Sequence, residues 1–317
     1  MQYRRLGRSG LKVSAVSLGT WLTVGNSIDE KRSHDLVHAA RDLGINLFDT
    51  ADVYNRGEAE SALGAVLTGL RREHLVVASK CFFPMSDDVN DRGLSRKHVH
   101  ESLHRSLRRL RTDYLDVYQC HRHDPEVPLE ETARAFDDLI RAGKVLYWGV
   151  SQWPAEAIAE VDALCRAAGY ASPVSNQPVY NLFERGIEAA VAPACERAGL
   201  GLIVYSPLAQ GALTGKYRVG EQPPSGSRAA DPRINQFIGR YMEPQRLAQA
   251  QRLVELAKKH GHTAAQSALA FCLAHAGVAS VIVGATSVAQ LQDNVKAIDV
   301  AVTPELRSAW DAIFPAQ

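Results

Sequence analysis

Three side chains in the first third of the chain have the types and spacing for proton transfer. Asp49 and Lys80 each directly follow a short, mostly apolar run, at 46–48 and 75–79, and Tyr54 lies five residues after Asp49. A buried charge needs a partner, so the aspartate and the lysine form either a structural ion pair or part of a reactive group. A free tyrosine has a pKa of about 10, and a neighbouring ammonium lowers that pKa toward the working range of a general acid. The pattern predicts a tyrosine proton donor whose pKa is lowered by a lysine, which the aspartate holds in place.

A second candidate group follows the apolar run 115–118 and contains His121 and His123. Two residues that are two apart on a strand lie on one face, and this spacing allows a metal site. A catalytic zinc site needs a third protein ligand and an open position. The other nearby histidines fall within a helical stretch: His98, His100 and His104. We therefore predict no metal, with a metal-dependent barrel hydrolase as an alternative, and beside Tyr54 we expect His121 to orient a substrate carbonyl.

Short apolar runs that lack in/out alternation alternate with helix-period segments through most of the chain. Such runs are typical of strands buried on both faces. The predicted strands are 15–18, 46–48, 75–79, 115–118, 145–150, 173–175, 202–205 and 281–283. The predicted helices include 31–43, 58–70, 96–110, 129–142, 154–168 and 185–198. Eight β/α pairs predict a parallel sheet that closes into a (β/α)8 TIM barrel.

The segments outside these elements predict further features. Residues 3–17 contain Gly-Arg-Ser-Gly between two short extended pieces, which predicts an N-terminal β-hairpin cap on the barrel. Residues 206–243, after the seventh strand, form a long loop of the kind that is usually functional. Ser95 and Ser151 are predicted helix N-caps. An open doubly wound sheet is the competing fold, but no G-x-G-x-x-G turn is present. We expect one barrel domain over 1–317.

Composition excludes several classes of protein. The 36 basic and 35 acidic residues leave a net charge of +1, so nothing electrostatic indicates nucleic acid or an anionic membrane. Five cysteines without a C-x-x-C pair argue against a disulfide framework and favour a reducing, cytoplasmic location. The charged N-terminus lacks the apolar stretch of a signal peptide. The most apolar region, 263–285, is interrupted by polar residues, which predicts a buried helix and a strand and no membrane insertion.

Seven short motifs lie in order at the predicted strand ends. They are Gly-Ile-Asn-Leu-Phe-Asp49-Thr-Ala-Asp-Val-Tyr54, Ser79-Lys80, His121-Arg-His-Asp, Gly149-Val-Ser151, Asn176-Gln177-Pro-Val-Tyr-Asn181-Leu, Tyr205-Ser206-Pro207-Leu208 and Gly284-Ala-Thr-Ser. Together they resemble the aldo-keto reductase superfamily over essentially the whole chain. Leu213-Thr-Gly-Lys216-Tyr and Gly93-Leu-Ser-Arg-Lys-His are similar to the branch that includes potassium-channel β subunits and their bacterial enzyme relatives.

The resemblance implies an NADPH-dependent enzyme that reduces aldehyde or ketone carbonyls to alcohols. It implies that Tyr54 gives the carbonyl oxygen a proton, that Asp49 and Lys80 tune Tyr54, and that His121 positions the oxygen. It implies that the cofactor is bound by Ser151, Asn176, Gln177, Tyr205, Ser206, Leu208, Lys216, Arg228, Gly284, Thr286, Gln290 and Asn294. Three aromatic residues on early loops either wall the substrate pocket or simply pack: Trp21, Phe82 and Phe83.

Two departures from the family pattern bear on the cofactor. Gln152 stands where many relatives have asparagine, and Gly284 and Gln290 stand where the small-molecule reductases have a basic pair for the 2′-phosphate. The resemblance to the channel-subunit branch implies that Arg228 and Lys216 supply the positive charge for the 2′-phosphate, so NADPH is favoured over NADH.

Two functions fit the resemblance. One is a carbonyl reductase with a small-molecule substrate, and the alternative is a cofactor-binding, redox-sensing regulatory subunit with little turnover. A regulator tolerates the loss of a catalytic residue, whereas all four candidates are present here, which favours the enzyme. The branch relatives often assemble, so a homo-oligomer is one option; the sequence leaves the oligomeric state, the physiological substrate and the stereochemistry of the product open.

Overall fold

Eight parallel strands close into a barrel in the computed structural model, which describes residues 1–316. With the two strands of an N-terminal hairpin, residues 1–316 form ten strands: β1 (Tyr3–Arg5), β2 (Lys12–Ser14), β3 (Val16–Gly19), β4 (Leu47–Asp49), β5 (Val76–Cys81), β6 (Leu115–Cys120), β7 (Val145–Val150), β8 (Ser175–Asn176), β9 (Gly201–Val204) and β10 (Val278–Val283). Strands β3 to β10 follow one another around the barrel in chain order, and β10 pairs with β3 to close it. The predicted (β/α)8 barrel is therefore confirmed.

Helices connect the strands and cover the outside of the barrel. They are α1 (Glu30–Asp42), α2 (Glu58–Leu67), α3 (Arg96–Leu110), α4 (Leu129–Arg141), α5 (Ala155–Ala168), α6 (Val191–Ala198), α7 (Pro244–Lys259), α8 (Ala264–Leu273), α9 (Val288–Val295) and α10 (Pro304–Ile313). The main hydrophobic core lies between helices and strands, where Phe136 of α4 stacks on Trp148 of β7 with ring centroids 4.9 Å apart. Aromatic pairs of this kind contribute about 0.5–1.5 kcal/mol beyond the apolar area that they bury.

The two predicted helix caps have different outcomes. The Ser95 hydroxyl accepts a hydrogen bond from the backbone N–H of His98 at 3.2 Å, so the cap of α3 is confirmed. The cap predicted at Ser151 is wrong, because α5 begins directly after Pro154. Ser151 is buried at the end of β7, and its hydroxyl donates to the carbonyl oxygen of Gln177 at 2.9 Å instead.

The N-terminal hairpin β1–β2 closes one end of the barrel, as predicted. Leu6 and Val13 are fully buried and pack against barrel residues such as Leu47 and Ile203. The turn at Gly7 packs tightly, since a Cβ atom there would lie 2.3 Å from the carbonyl oxygen of Gly199. The hairpin occupies the end where the strands begin, so the ends that carry the candidate residues stay open.

The predicted long loop joins β9 to α7 and contains 3₁₀ turns but neither a strand nor an α-helix. Buried apolar side chains hold it against the barrel: Leu213, Tyr217, Ile238 and Tyr241. The apolar region at 263–285 forms α8 and β10, as predicted. Within residues 1–316, no helix combines the length and the apolar composition that crossing a bilayer requires.

Candidate active site

Lys80 lies at the centre of the candidate site and is fully buried within β5. Its ammonium donates to Asp49 Oδ2 at 2.8 Å, to the carbonyl oxygen of Thr50 at 2.7 Å and to the phenol oxygen of Tyr54 at 3.2 Å. All three N–H groups of the ammonium thus have acceptors. Burial is the largest single effect and lowers the pKa of Lys80, but the charges of Asp49 and Tyr54 and the hydrogen bonds to both together raise the net pKa above its usual value, so the lysine stays charged. The predicted contact among these three side chains is present.

The pKa of Tyr54 differs from the sequence prediction. Burial raises this pKa, and the charge of Asp49 adds to the effect, while the ammonium of Lys80 lowers it. The net pKa lies above the usual value for tyrosine, so the predicted lowering is wrong in direction. The reason is that a phenolate loses more free energy when it is removed from water than it gains from the ammonium of Lys80, because that ammonium is already paired with the carboxylate of Asp49. Tyr54 is therefore protonated at neutral pH, which is the form required of a proton donor.

His121 follows β6 and is buried beside Tyr54, with ring centroids 5.7 Å apart in an edge-to-face arrangement. Burial, together with the positive charges of Lys80 and Arg122, holds the pKa of His121 well below its usual range. The imidazole is therefore neutral. Its Nδ1 atom is buried without a hydrogen-bond partner among residues 1–316.

His121 and His123 do not act as one pair, contrary to the expectation that they share a face. β6 ends at Cys120, so both lie beyond the strand, where the two-residue alternation no longer applies. The ring of His123 packs edge-to-face on Trp153, 4.9 Å away. In the described part of the chain, no three His, Cys, Asp or Glu side chains are grouped as metal ligands.

Aromatic side chains surround Tyr54 and His121. Trp21 lies 6.3 Å from the Tyr54 ring, and Phe83 lies 4.9 Å from the His121 ring. Phe82 packs on the hydrophobic core, so of the two neighbouring phenylalanines only Phe83 contacts the catalytic candidates through its ring.

The predicted amide-binding residues lie next to the Asp49–Lys80 pair. Gln177 Nε2 donates to Asp49 Oδ1 at 2.8 Å and thereby fixes the second oxygen of that carboxylate. Asn176 is fully buried at the end of β8, and its Oδ1 atom has no hydrogen-bond partner within residues 1–316. A buried acceptor without a donor is unfavourable unless a ligand supplies one. The site therefore fits the carboxamide of a nicotinamide, whose N–H group would satisfy Asn176.

The loop that begins at Ser206 has an unusual backbone. Ser206, Ala209 and Gln210 have φ of 53°, 46° and 61°, values that non-glycine residues rarely adopt. Strain of this kind clusters at ligand clamps. Gln210 Nε2 donates to Ser206 Oγ at 2.5 Å, and its Oε1 accepts a hydrogen bond from Arg228. Burial lowers the pKa of Arg228, and its guanidinium makes no ion pair with a carboxylate in residues 1–316, so it fits a phosphate.

The remaining predicted cofactor residues lie in two places. Lys216 is exposed on the loop, close to Gly211, while Leu208 packs against the core. At the start of α9 the backbone N–H and hydroxyl of Thr286 both donate to Gln290 Oε1, at 2.9 and 3.1 Å. Asn294 is buried on the same helix, and Gly284 is exposed just before it. No hydrogen bond between described residues joins the loop group to the α9 group.

Comparison with known proteins identifies the family. The sequence profile of the Aldo/keto reductase family matches residues 15–314. The chain belongs to the aldo/keto reductase family. Among the relatives of this aldo/keto reductase, a protein of Oryza sativa subsp. japonica named probable voltage-gated potassium channel subunit beta is 42% identical over 100% of this chain and 98% of the relative. An Arabidopsis thaliana protein of the same name is 42% identical over 95% of this chain and 92% of the relative. A Schizosaccharomyces pombe protein named putative voltage-gated potassium channel subunit beta is 40% identical over 98% of this chain and 93% of the relative.

Several residues at the site of this aldo/keto reductase were not predicted as site residues. Gln119 is buried in β6, where its Oε1 atom accepts a hydrogen bond from Gln177 Nε2 at 3.5 Å and its Nε2 atom has no hydrogen-bond partner within residues 1–316. Gln152, noted only as a departure from the family pattern, donates to the Tyr205 hydroxyl. Phe237 packs against Trp21 with the rings tilted by 53° and their centroids 4.8 Å apart. A glutamine within a strand and an aromatic residue within an irregular loop carry no local sequence signal of these contacts.

Proposed function

We propose that this aldo/keto reductase is an NADPH-dependent enzyme that reduces aldehyde or ketone carbonyls to alcohols. The single observation that carries this proposal is the contact between Tyr54 and Lys80, in which the phenol oxygen lies 3.2 Å from the ammonium. A phenol beside a fixed ammonium releases its proton readily once negative charge develops on a nearby oxygen, because the ammonium stabilises the phenolate that remains.

Each residue of the site has a part in this proposal. NADPH, when bound, supplies the hydride that adds to the carbonyl carbon. Tyr54 donates its proton to the carbonyl oxygen, and Lys80 stabilises the resulting phenolate until it regains a proton from water. Asp49 holds Lys80, and the neutral His121 orients the carbonyl oxygen. Asn176 and Ser151 would hold the nicotinamide amide at the buried edge of the site.

The decisive experiment measures NADPH oxidation with 4-nitrobenzaldehyde. We expect Tyr54→Phe to lower kcat about a hundredfold to ten-thousandfold, the usual contribution of a positioned proton donor. NADPH binding, followed by fluorescence quenching, should not change, because the ring of Tyr54 is retained. Tyr114→Phe, which removes a hydroxyl near Arg72 and away from the site, is the matched control. Full activity in Tyr54→Phe would refute the proposed chemistry.

We propose that Arg228 and Lys216 bind the 2′-phosphate and so select NADPH over NADH. Arg228→Ala should weaken NADPH binding about tenfold to a hundredfold, since a charge-assisted hydrogen bond is lost, and leave NADH binding within about threefold. Equal weakening of both cofactors would place the 2′-phosphate elsewhere.

The names of the relatives support a second candidate function, a cofactor-binding regulatory subunit with little turnover. Such a protein would bind NADPH as tightly as an enzyme but oxidise it slowly with every aldehyde. Single-turnover measurements separate the two functions. A wild-type rate no faster than that of Tyr54→Phe would favour the regulator.

A further inference from the structure

Two arginines without acid partners lie at the open end of the barrel. Arg122 directly follows His121, and its guanidinium lies 5.1 Å from the centroid of the Phe83 ring. Its one hydrogen bond within the described residues is to the carbonyl oxygen of His121, at 2.5 Å. Arg240 lies in the long loop and donates to the hydroxyl of Tyr241 at 2.7 Å. Within residues 1–316, neither guanidinium is within ion-pair distance of a carboxylate.

Both arginines act electrostatically on Tyr205. Burial raises the pKa of Tyr205, while the positive charges of Arg122 and Arg240 each lower it. Arg122 also acts electrostatically on Tyr54 and His121. Arg122 thus neighbours the proposed proton donor and the carbonyl-orienting histidine, while Arg240, bound to the Tyr241 hydroxyl, approaches Tyr205 from the long loop.

Asp49, whose charge acts on Tyr54, is already bound to Lys80. Its negative charge offsets that of Lys80, so Arg122 and Arg240 remain without a carboxylate within ion-pair distance among residues 1–316.

Arginines elsewhere that are half-buried like Arg122 do bind acids. Arg105 pairs with Asp91, and Arg109 pairs with Glu60. A guanidinium has five N–H donors in a planar fork that matches a carboxylate or a phosphate. Arg122 uses one of these donors, so most of its hydrogen-bonding capacity is free beside the reacting groups.

We propose that Arg122, assisted by Arg240, binds an anionic group on the substrate, so that the preferred substrates are carbonyl compounds that carry a carboxylate or a phosphate. This assignment deepens the proposed carbonyl reduction and rests on it. Arg122 is then a specificity-determining residue, because it contacts the substrate away from the carbonyl that Tyr54 and His121 engage.

The test compares 4-carboxybenzaldehyde with its uncharged methyl ester, each with NADPH. We expect wild-type kcat/KM to favour the acid about tenfold to a hundredfold, the effect of a charge-assisted hydrogen bond. Arg122→Met should abolish this preference, so that its kcat/KM values for the acid and the ester agree within about threefold. Arg122→Lys should restore part of it, since lysine keeps the charge but lacks the fork.

The control variant Arg233→Gln removes one positive charge from the same loop, at an exposed arginine that pairs with Asp231. It should keep the preference for the acid, which separates a local contact from a change in overall charge. An equal acid-to-ester ratio in wild type and Arg122→Met would overturn the assignment.

A second pair of substrates, glyceraldehyde 3-phosphate and glyceraldehyde, distinguishes the two anions. The acid-to-ester and phosphate-to-alcohol ratios of kcat/KM, measured in wild type and in Arg240→Gln, show which anion the site prefers. A larger loss with the phosphate identifies phosphate, and a larger loss with the carboxylate identifies carboxylate. No loss of charge preference with either pair removes Arg240 from the site and contradicts the proposal.

Binding separates this inference from the proposed function. Calorimetric titration of the NADP⁺-saturated protein with 4-(hydroxymethyl)benzoate and its methyl ester requires no turnover. If the acid binds about tenfold more tightly through Arg122 while neither aldehyde is reduced, the anion site stands and the proposed reduction fails. If both aldehydes are reduced equally well and both alcohols bind equally, the reduction stands and the anion site fails.

Discussion

Replacement of Asp52 by asparagine removes a buried carboxyl group two residues before the proposed proton donor. Asp52 is fully buried, and its Oδ2 atom accepts a hydrogen bond from the Ser102 hydroxyl at 2.7 Å. Its Oδ1 atom has no hydrogen-bond partner among residues 1–316. Burial, followed by the negative charge of Glu60, raises the pKa of Asp52 to about 7. The folded protein therefore holds a proton at Asp52 under conditions in which the unfolded chain has released it.

The size and sign of the effect follow from these two pKa values. An aspartate in the unfolded chain has a pKa of about 3.9. Between this value and about 7, the folded state binds more protons at this position than the unfolded state, so the free energy of unfolding falls as the pH rises. The stabilisation is complete below about pH 4 and lost above about pH 7. Each pH unit in this window corresponds to about 1.4 kcal/mol, which gives a total of about 4 kcal/mol.

Urea unfolding at a series of pH values measures this directly. Asparagine does not titrate, so the unfolding free energy of wild type minus that of Asp52→Asn should fall by about 4 kcal/mol from about pH 4 to about pH 7.5 and then level off. Asp113→Asn removes an exposed carboxylate and controls for the change in net charge. Parallel curves for wild type and Asp52→Asn would refute the assignment of a raised pKa to this buried group.

Two further predictions concern stability. Gly64→Ala should lower the unfolding free energy by about 1–3 kcal/mol although alanine favours helices, because its Cβ would lie 2.4 Å from the carbonyl oxygen of Arg109. Gly69→Ala, whose Cβ would have no atom nearer than 3.6 Å, should change the unfolding free energy by no more than about 0.5 kcal/mol in the same denaturation assay. Lys80→Met should cost about 3–5 kcal/mol in denaturation, since Asp49 remains as a buried charge without a cation, and Asp49→Asn in the same chain should recover part of the loss.

Each of these predictions has a clear contrary outcome. Equal effects of Gly64→Ala and Gly69→Ala would mean that α2 and α3 are not in backbone contact. A Lys80→Met variant as stable as wild type would mean that the ion pair makes no net contribution, and a double variant less stable than the single one would mean that Asp49 has other partners of greater importance.

Local patterns in the sequence were sufficient to predict the barrel. The predicted strand at 145–150 and the predicted helix at 96–110 coincide with β7 and α3. Strands buried on both faces appear as continuous apolar runs, and a helix repeats every 3.6 residues, so both signals are local. The predicted strands at 46–48 and 75–79 stop early because their apolar composition ends, while the strand pairing continues through Asp49 and Lys80.

The sequence also located the polar residues of the site, because the carboxyl ends of parallel strands meet at one end of a barrel. Asp49, Lys80, Tyr54 and His121 lie together there for that reason.

Only the tertiary structure decided what these residues contact and which charge state they adopt. Gln177 holds Asp49 across 128 positions of sequence, and Gln210 joins Arg228 to Ser206 across an irregular loop. The sequence identified the lysine beside Tyr54 but assigned the wrong direction to the tyrosine pKa. A pKa depends on the balance between burial and every surrounding charge, and that balance exists only once the strands, helices and loops have enclosed the side chain.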